Sequence, residues 1–305
     1  MARIAFLFPG QGAQYIGMGK DFYDTYEVCK NTYNLASENS GLDVAKLCFK
    51  ENDQINITEY TQIAMLTTEV AILHAILEFG IKPDVAAGLS LGEYGALATA
   101  GVMSDKELFS IIRKRGIFMQ EAVPTGGAMS AVLGLDTETI EGVCESIEGQ
   151  VSVANYNCPG QIVITGEEAA VRAAGEKLTD LGAKRVVPLK VSGPFHSPLL
   201  KYAGDRLAGA LQAVTVNKPV IPYISNVTAD YVTDETLVKD LLSRQVASPV
   251  CWQQSVEKMI EDGVDTFIEI GPGKTLSGFM KKINREVTVM NIEKVEDLEK
   301  LESIK

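Results

Sequence analysis

The amino-acid sequence predicts an α/β protein built on a parallel sheet, with a smaller unit of different topology inserted into it. Three observations predict this. Short unbroken apolar runs such as Ile4 to Phe8 alternate with helical stretches, as buried parallel strands do when helices cover both faces of a sheet. Between Ala128 and Val191 the alternation changes to β-α-β-β-α-β. The chain has 305 residues, room for roughly two domains, and 46% are hydrophobic, so a core can form without disulfides or a structural metal.

Ile4 to Phe8 reads as a central strand ended by Pro9-Gly10. Tyr60 to Phe79 reads as a long helix stopped by Gly80, and Val85 to Ala87 as a second buried strand. Ser104-Asp105-Lys106-Glu107 has the capping-box pattern and opens a helix to about Ala122. In the insert, Ala128 to Gly134 is a strand and Asp136 to Ile147 a helix with Asp136 as N-cap. Val151 to Ala154 and Gln161 to Thr165 are strands, Glu167 to Leu181 is a helix, and Arg185 to Val191 is the last strand. That order matches a ferredoxin-like unit, with Pro124-Thr125-Gly126-Gly127 and Ser192-Gly193-Pro194 as hinges. Beyond it, Pro198 to Val214, Leu237 to Val246, Trp252 to Glu261 and Leu276 to Asn284 read as helices. Val220 to Ser225, Thr266 to Ile270 and Val287 to Met290 read as strands.

Charge and cysteine usage exclude several classes. Lys and Arg total 28 against 40 Asp and Glu, a net −12, which argues against nucleic-acid binding. The five cysteines have no CxxC spacing, so neither a zinc site nor a disulfide framework is expected, and a reducing cytoplasm is the simpler setting. No unbroken apolar run is long enough for a membrane span; Ile63 to Phe79 contains Glu69 and His74. Two glycine clusters imitate nucleotide motifs and fail. After Gly10-Gln11-Gly12 a dinucleotide fingerprint needs glycine where Tyr15 stands, and a P-loop ending at Gly273-Lys274-Thr275 would need glycine at Ile268.

Gly88-Leu89-Ser90-Leu91-Gly92 is G-x-S-x-G between a buried strand and a helical stretch. A glycine-rich turn without chemistry would carry the same letters. The strand–turn–helix context instead favours a nucleophile elbow that projects Ser90 at a helix N-terminus and aims the Leu91 N–H at a developing oxyanion. A serine nucleophile needs a base, and the chain has two histidines. His74 lies within an apolar helix, where packing or a hydrogen bond would employ it. His196 sits in a loop restrained by Pro194 and Pro198 and is the candidate base, although a polar residue preceding a helix would look the same. In an esterase the orienting acid falls between serine and a histidine near the C-terminus. Here 109 residues follow His196, which disfavours a plain esterase.

The helix opened by Ser104 places Leu108, Ile111, Ile112, Met119 and Ala122 on one stripe, and Arg115 falls among them. Arg113 and Lys114 fall off it and are expected in solvent. A structural salt bridge, a snorkelling side chain and a bidentate clamp for a substrate carboxylate all fit an inward arginine.

Seven blocks in order resemble the malonyl-CoA:acyl-carrier-protein transacylases nearly end to end. They are Phe8-Pro9-Gly10-Gln11-Gly12-Ala13-Gln14, Gly88 to Tyr94, Arg115 with Met119-Gln120, Asn155-Tyr156-Asn157 with Pro159-Gly160-Gln161, Gly193 to Ser197, Gln245 with Ser248-Pro249-Val250, and Glu269 to Gly273. The resemblance implies ping-pong transfer of a malonyl group from malonyl-CoA, through a malonyl-serine ester on Ser90, to the phosphopantetheine thiol of acyl carrier protein, with no bound cofactor or metal. It implies His196 as base, the N–H groups of Gln11 and Leu91 as oxyanion hole, and Arg115 on the malonyl carboxylate. It also implies a backbone carbonyl at Gln245 as the histidine's orienter, with Met119 and Asn155 as substrate contacts.

The family usually has histidine where this chain has Leu89. The runner-up is a stand-alone acyltransferase or proofreading acyl hydrolase of polyketide synthesis; a non-catalytic carrier-binding module is the third reading. The expected fold is a large α/β-hydrolase-like domain with a parallel sheet, residues 1–123 and 194–305, and a small ferredoxin-like βαββαβ domain, residues 124–193. An acidic carrier needs a basic dock, for which Lys184, Arg185 and Lys190, or else Lys281, Lys282 and Arg285, are the candidates.

Overall fold

The computed structural model describes residues 2–191 and 193–304, so Ser192 of the expected second hinge lies outside the described residues. β1 (Ile4–Phe8) leads through α1 (Lys20–Thr25), α2 (Glu27–Ser40), α3 (Val44–Phe49) and α4 (Thr58–Glu78) to β2 (Val85–Gly88). A single 3₁₀ turn at Ser90–Gly92 runs into α5 (Glu93–Thr99), and α6 (Asp105–Ala122) follows. Next come β3 (Gly127–Leu133), α7 (Thr137–Ser146), β4 (Val151–Cys158), β5 (Gln161–Glu167), α8 (Glu168–Asp180) and β6 (Arg185–Pro188). The chain closes with α9 (Lys201–Leu211), β7 (Tyr223–Ile224), β8 (Tyr231–Val232), α10 (Val238–Gln245), α11 (Trp252–Glu261), β9 (Thr266–Ile270), α12 (Thr275–Ile283) and β10 (Thr288–Ile292).

Strands β10-β9-β1-β2-β7 lie parallel in that order. The larger sheet is not wholly parallel, because β8 adds an antiparallel edge beside β7. β1 is buried along its whole length, and its side chains divide by alternation. Ile4, Phe6 and Phe8 join the core formed with α2, α4 and α6, whereas Ala5 and Leu7 join Trp252, Val256 and Phe279 on the opposite face. Helices therefore cover both faces. α4 is long and apolar enough to cross a bilayer by length and composition, yet 83% of its most apolar window is buried inside the protein.

The second sheet has the order β4-β5-β3-β6 with every pair antiparallel, the ferredoxin-like arrangement. Val132, Ile162 and Ile164 pack on α7 and α8 with Ile140, Val171 and Leu178. Their neighbours Met129, Ala131 and Val163 point from the other face into the core of the larger unit. A parallel bridge stitches the two units: the Tyr156 N–H donates to the Val250 carbonyl at 2.9 Å, and the Val250 N–H to the Ala154 carbonyl at 2.8 Å.

Several expected elements are shorter than the sequence suggests. The last strand of the insert stops at Pro188, although the Leu189 N–H still donates to the Met129 carbonyl of β3 at 2.9 Å. Pro222 likewise leaves β7 only two residues, although its carbonyl still accepts the Ala86 N–H at 3.2 Å. The helix expected from Pro198 begins as a 3₁₀ turn and becomes α-helical at Lys201. The sequence reading does not contain α1 and α3, each only six residues long, or α2, which buries only Cys29, Thr32, Tyr33 and Ala36, because short or mostly polar helices write little apolar periodicity. The box at Ser104 and the cap at Asp136 form as expected.

Candidate active site

The elbow is forced by close backbone packing. A Cβ on Gly88 would stand 1.9 Å from the Gly92 carbonyl oxygen, and a Cβ on Gly92 would stand 2.2 Å from the Phe8 carbonyl oxygen. Only glycine allows β2, the turn and β1 to approach this tightly. Ser90 between them is held at φ +56°, a left-handed conformation rare for residues with a Cβ. Asn226, just beyond β7, pins it: its Oδ1 accepts the Ser90 N–H at 2.6 Å and its Nδ2 donates to the Gly88 carbonyl at 2.7 Å. Ser90 thus sits at the carboxyl ends of β1, β2 and β7, where open α/β sheets place their ligands.

His196 is also left-handed, at φ +58°, and is 3% exposed. Its loop is packed against the start of β3, where a Cβ on Gly127 would meet Pro194 Cδ at 2.2 Å. Nε2 lies 2.7 Å from Ser90 Oγ. Nδ1 lies 2.9 Å from the Gln245 carbonyl and 3.2 Å from the Ser248 carbonyl. Carbonyls only accept, so Nδ1 carries the proton and Nε2 is free to accept from serine. Burial, reinforced by the Arg115 cation, lowers the His196 pKa to about 4. The imidazole is therefore neutral near pH 7, the state a base needs.

Arg115 is fully buried with Nη2 3.2 Å from Ser90 Oγ. Its other bonds go to amide oxygens, Gln62 Oε1 at 2.7 Å and Gln245 Oε1 at 2.9 Å. Its guanidinium lies over the Tyr94 ring at 5.6 Å, and Nε has no partner among the described residues. Burial lowers its pKa, while Tyr94 and Glu93 oppose that shift. Among the described residues no carboxylate forms an ion pair with it, so a buried cation stands beside the nucleophile held by neutral partners. Taking such a charge out of water costs several kcal/mol, by order of magnitude, unless an anion meets it. Arg113, expected in solvent, is instead half-buried: it pairs with Glu59 at 2.8 Å and lies over Tyr60, because the side of α6 next to the core stripe packs on the start of α4. His74 bonds Thr32 Oγ1 at 3.0 Å and Asp105 at 3.3 Å, far from this chemistry in role.

Gln245 contributes twice. Its backbone orients His196, and its side-chain amide joins Arg115, the Ser90 carbonyl at 3.0 Å and Glu93 Oε2 at 2.6 Å. Glu93 is fully buried and also accepts the Asn226 N–H at 3.1 Å. Burial pushes its carboxyl up to about 7, opposed by these hydrogen bonds and by Arg115. Sequence reading missed Asn226 and Gln62 and the roles of Ser248 and Glu93. The one available signal was an asparagine placed just after an expected strand, at the edge where such sheets build sites.

Of these groups, Ser90, His196 and Gln62 line a cavity of about 260 Å³. Gln11, Leu89, Leu91, Met119 and Asn155 all line it with Ser90 and His196. Gln11 is anchored by its side-chain amide on Thr58 Oγ1 at 3.1 Å. From the smaller sheet come Met129, Ala131, Asn155, Asn157, Gln161 and Val163. Glu269, in the last of the resembling blocks, lies elsewhere in function: it accepts the Leu276 and Ser277 N–H groups at 2.9 and 2.8 Å and so caps α12.

An acyl transferase domain model matches residues 5–301. The malonyl CoA-acyl carrier protein transacylase of Bacillus subtilis is 46% identical over 304 residues, 98% of this chain and 96% of that protein. The crystal structure of the malonyl CoA-acyl carrier protein transacylase from Clostridium perfringens superposes with a TM-score of 0.96 at 46% identity, covering 99% of this chain and 97% of that one. A malonyl-transacylase in complex with a type II PKS acyl-carrier protein superposes at 0.97 with 38% identity, covering 100% of both chains.

Proposed function

The chain belongs to the acyl transferase family, and from that membership we propose that it transfers malonyl groups from malonyl-CoA to the phosphopantetheine thiol of an acyl carrier protein, supplying fatty-acid elongation in the cytoplasm. Ser90 Oγ attacks the thioester carbonyl while its proton passes to His196 Nε2. The Gln11 and Leu91 N–H groups hold the oxyanion. The C–S bond breaks, the proton returns to the departing thiolate, and coenzyme A leaves as the thiol. In the second half the carrier's thiol gives its proton to Nε2 and attacks the ester carbonyl. The C–Oγ bond breaks and Ser90 recovers its proton. Met119 and Asn155 contact the acyl group, and residues 124–193 act as a small domain against 1–123 and 194–305.

The observation that carries this reading is Arg115, a buried guanidinium with neutral partners 3.2 Å from the nucleophile. A malonyl carboxylate supplies the missing anion, and the guanidinium fork suits it at two points. The test is covalent acylation by malonyl-CoA and acetyl-CoA, followed by intact mass, in the wild type and in Arg115→Ala. Leaving the carboxylate unpaired in the variant costs on the order of 2–5 kcal/mol, a fall of roughly 30- to 3,000-fold in kcat/KM for malonyl-CoA. Acetyl-CoA should lose far less, and Arg115→Lys should recover only part. Equal losses for both substrates would remove the basis for dicarboxylic selectivity.

For the carrier we favour Lys281, Lys282 and Arg285 over Lys184, Arg185 and Lys190. Lys282 Nζ donates to Gln161 Oε1 at 2.9 Å, and Gln161 lines the cavity. Lys282→Glu should raise KM for the carrier and leave self-acylation unchanged.

A further inference from the structure

We propose that Glu93 is a positioning residue that sets malonyl selectivity by locking the amide of Gln245 in the orientation that holds the Arg115 guanidinium beside Ser90 Oγ. The inference rests on the reading of Arg115 as the carboxylate clamp. Gln245 has one acceptor oxygen and one donor nitrogen, and each is committed. Nε2 donates to Glu93 Oε2 at 2.6 Å and to the Ser90 carbonyl at 3.0 Å, which leaves Oε1 to accept from Arg115 at 2.9 Å. A flipped amide would turn its N–H groups on the guanidinium, donor against donor, and Arg115 would have to swing away.

Glu93 itself cannot shift. It is fully buried, and the backbone N–H of Asn226 holds the same oxygen at 3.1 Å while Asn226 pins the Ser90 N–H at 2.6 Å. The carboxyl thus ties the nucleophile's pin to the selectivity clamp through one atom. Its work is that of an acceptor, not of a charge, since either protonation state offers Oε2 a lone pair. A glutamine can take over that role, with its amide oxygen at Oε2 and its nitrogen at Oε1, which has no partner among the described residues. An aspartate, one methylene shorter, cannot reach Gln245.

Second-order rates of Ser90 acylation by malonyl-CoA and by acetyl-CoA test this in Glu93→Ala, Glu93→Asp, Glu93→Gln and Arg115→Ala. The malonyl-to-acetyl ratio should fall about tenfold in Glu93→Ala and Glu93→Asp, the worth of one hydrogen bond to a charged network, and stay close to wild type in Glu93→Gln. Should Glu93→Ala not fold, the aspartate and glutamine variants carry the comparison. Equal loss of both rates in the alanine or aspartate variant overturns the proposal, because a loosened elbow alone would do that. So does a glutamine variant as unselective as aspartate. If Arg115→Ala keeps the ratio, the clamp reading itself fails; if it collapses the ratio and Glu93→Asp does not, only the role of Glu93 is lost.

Discussion

The two sheets border one cavity and bring different things to it. Gln11 and Ser90 stand just beyond the ends of β1 and β2, His196 in the segment that leads from β6 into α9, and Gln245 at the end of α10, with Arg115 of α6 buried beside Ser90. Apart from Gln161, the smaller sheet presents only the faces of its strands: Met129, Ala131, Asn155, Asn157 and Val163. Strand ends terminate in turns, whose backbone can take φ +56° at Ser90, whereas a strand face repeats every two residues and makes a flat wall. The turn after β2 and the segment after β6 are thus suited to moving protons and bonds, and the face of the smaller sheet to shaping the space beside them.

The most severe way to break that division is Ser90→Ala. It should abolish the malonyl adduct on intact mass while the protein still folds, and an adduct of unchanged stoichiometry would move the nucleophile elsewhere. His196→Ala should slow acylation by about 10²- to 10⁴-fold, the usual worth of a general base.

The pH profile sharpens the contrast. With His196 lowered to about 4 by burial and by Arg115, acylation by acetyl-CoA should stay level from neutral pH down to about 5 and fall only as the imidazole takes its proton below that. Arg115→Ala removes a repelling cation, so the acid limb should move to higher pH. An unmoved limb would mean that the two groups do not feel each other.

On the other side of the cavity, Ala131→Leu adds bulk to a wall with no part in proton transfer. It should raise KM for malonyl-CoA several-fold and leave the acid limb in place. If kcat collapses instead, the smaller sheet is part of the chemistry. The mildest change is Leu89→His, which restores the residue usual in the family. Leu89 touches the cavity, but the proton path runs from Ser90 to His196, so the rate should shift modestly and the adduct persist.

Much of this was legible before any coordinates. Ile4–Phe8 and Thr266–Ile270 coincide with the expected strands because a fully buried parallel strand writes a contiguous apolar run. The box at Ser104 and the cap at Asp136 are local, three residues from donor to acceptor, so their letters suffice. Motif and scarcity single out Ser90 and His196, which the fold brings to 2.7 Å of each other. The misses have the opposite character. Arg113 is expected in solvent because a helix stripe says nothing of the helix that packs beside it, and α1, α2 and α3 are too short or too polar to write a clear apolar period.

By itself the sequence determined the strand cores, the tight turn that carries Ser90, the proline-restrained loop that carries His196 and the inward face that carries Arg115, each set by patterns spanning a few residues. Tertiary structure alone decided that Arg115 has no ion-pair partner among the described residues, that Gln245 binds His196 through its backbone and Arg115 through its side chain, and that Asn226 pins Ser90. The partners stand far apart in the chain: Ser90 is 136 residues from Asn226 and 155 from Gln245. Side-chain periodicity reports which face is buried, but hydrogen bonds depend on distance and angle, and for these pairs both are set only when the sheet brings its strand ends together.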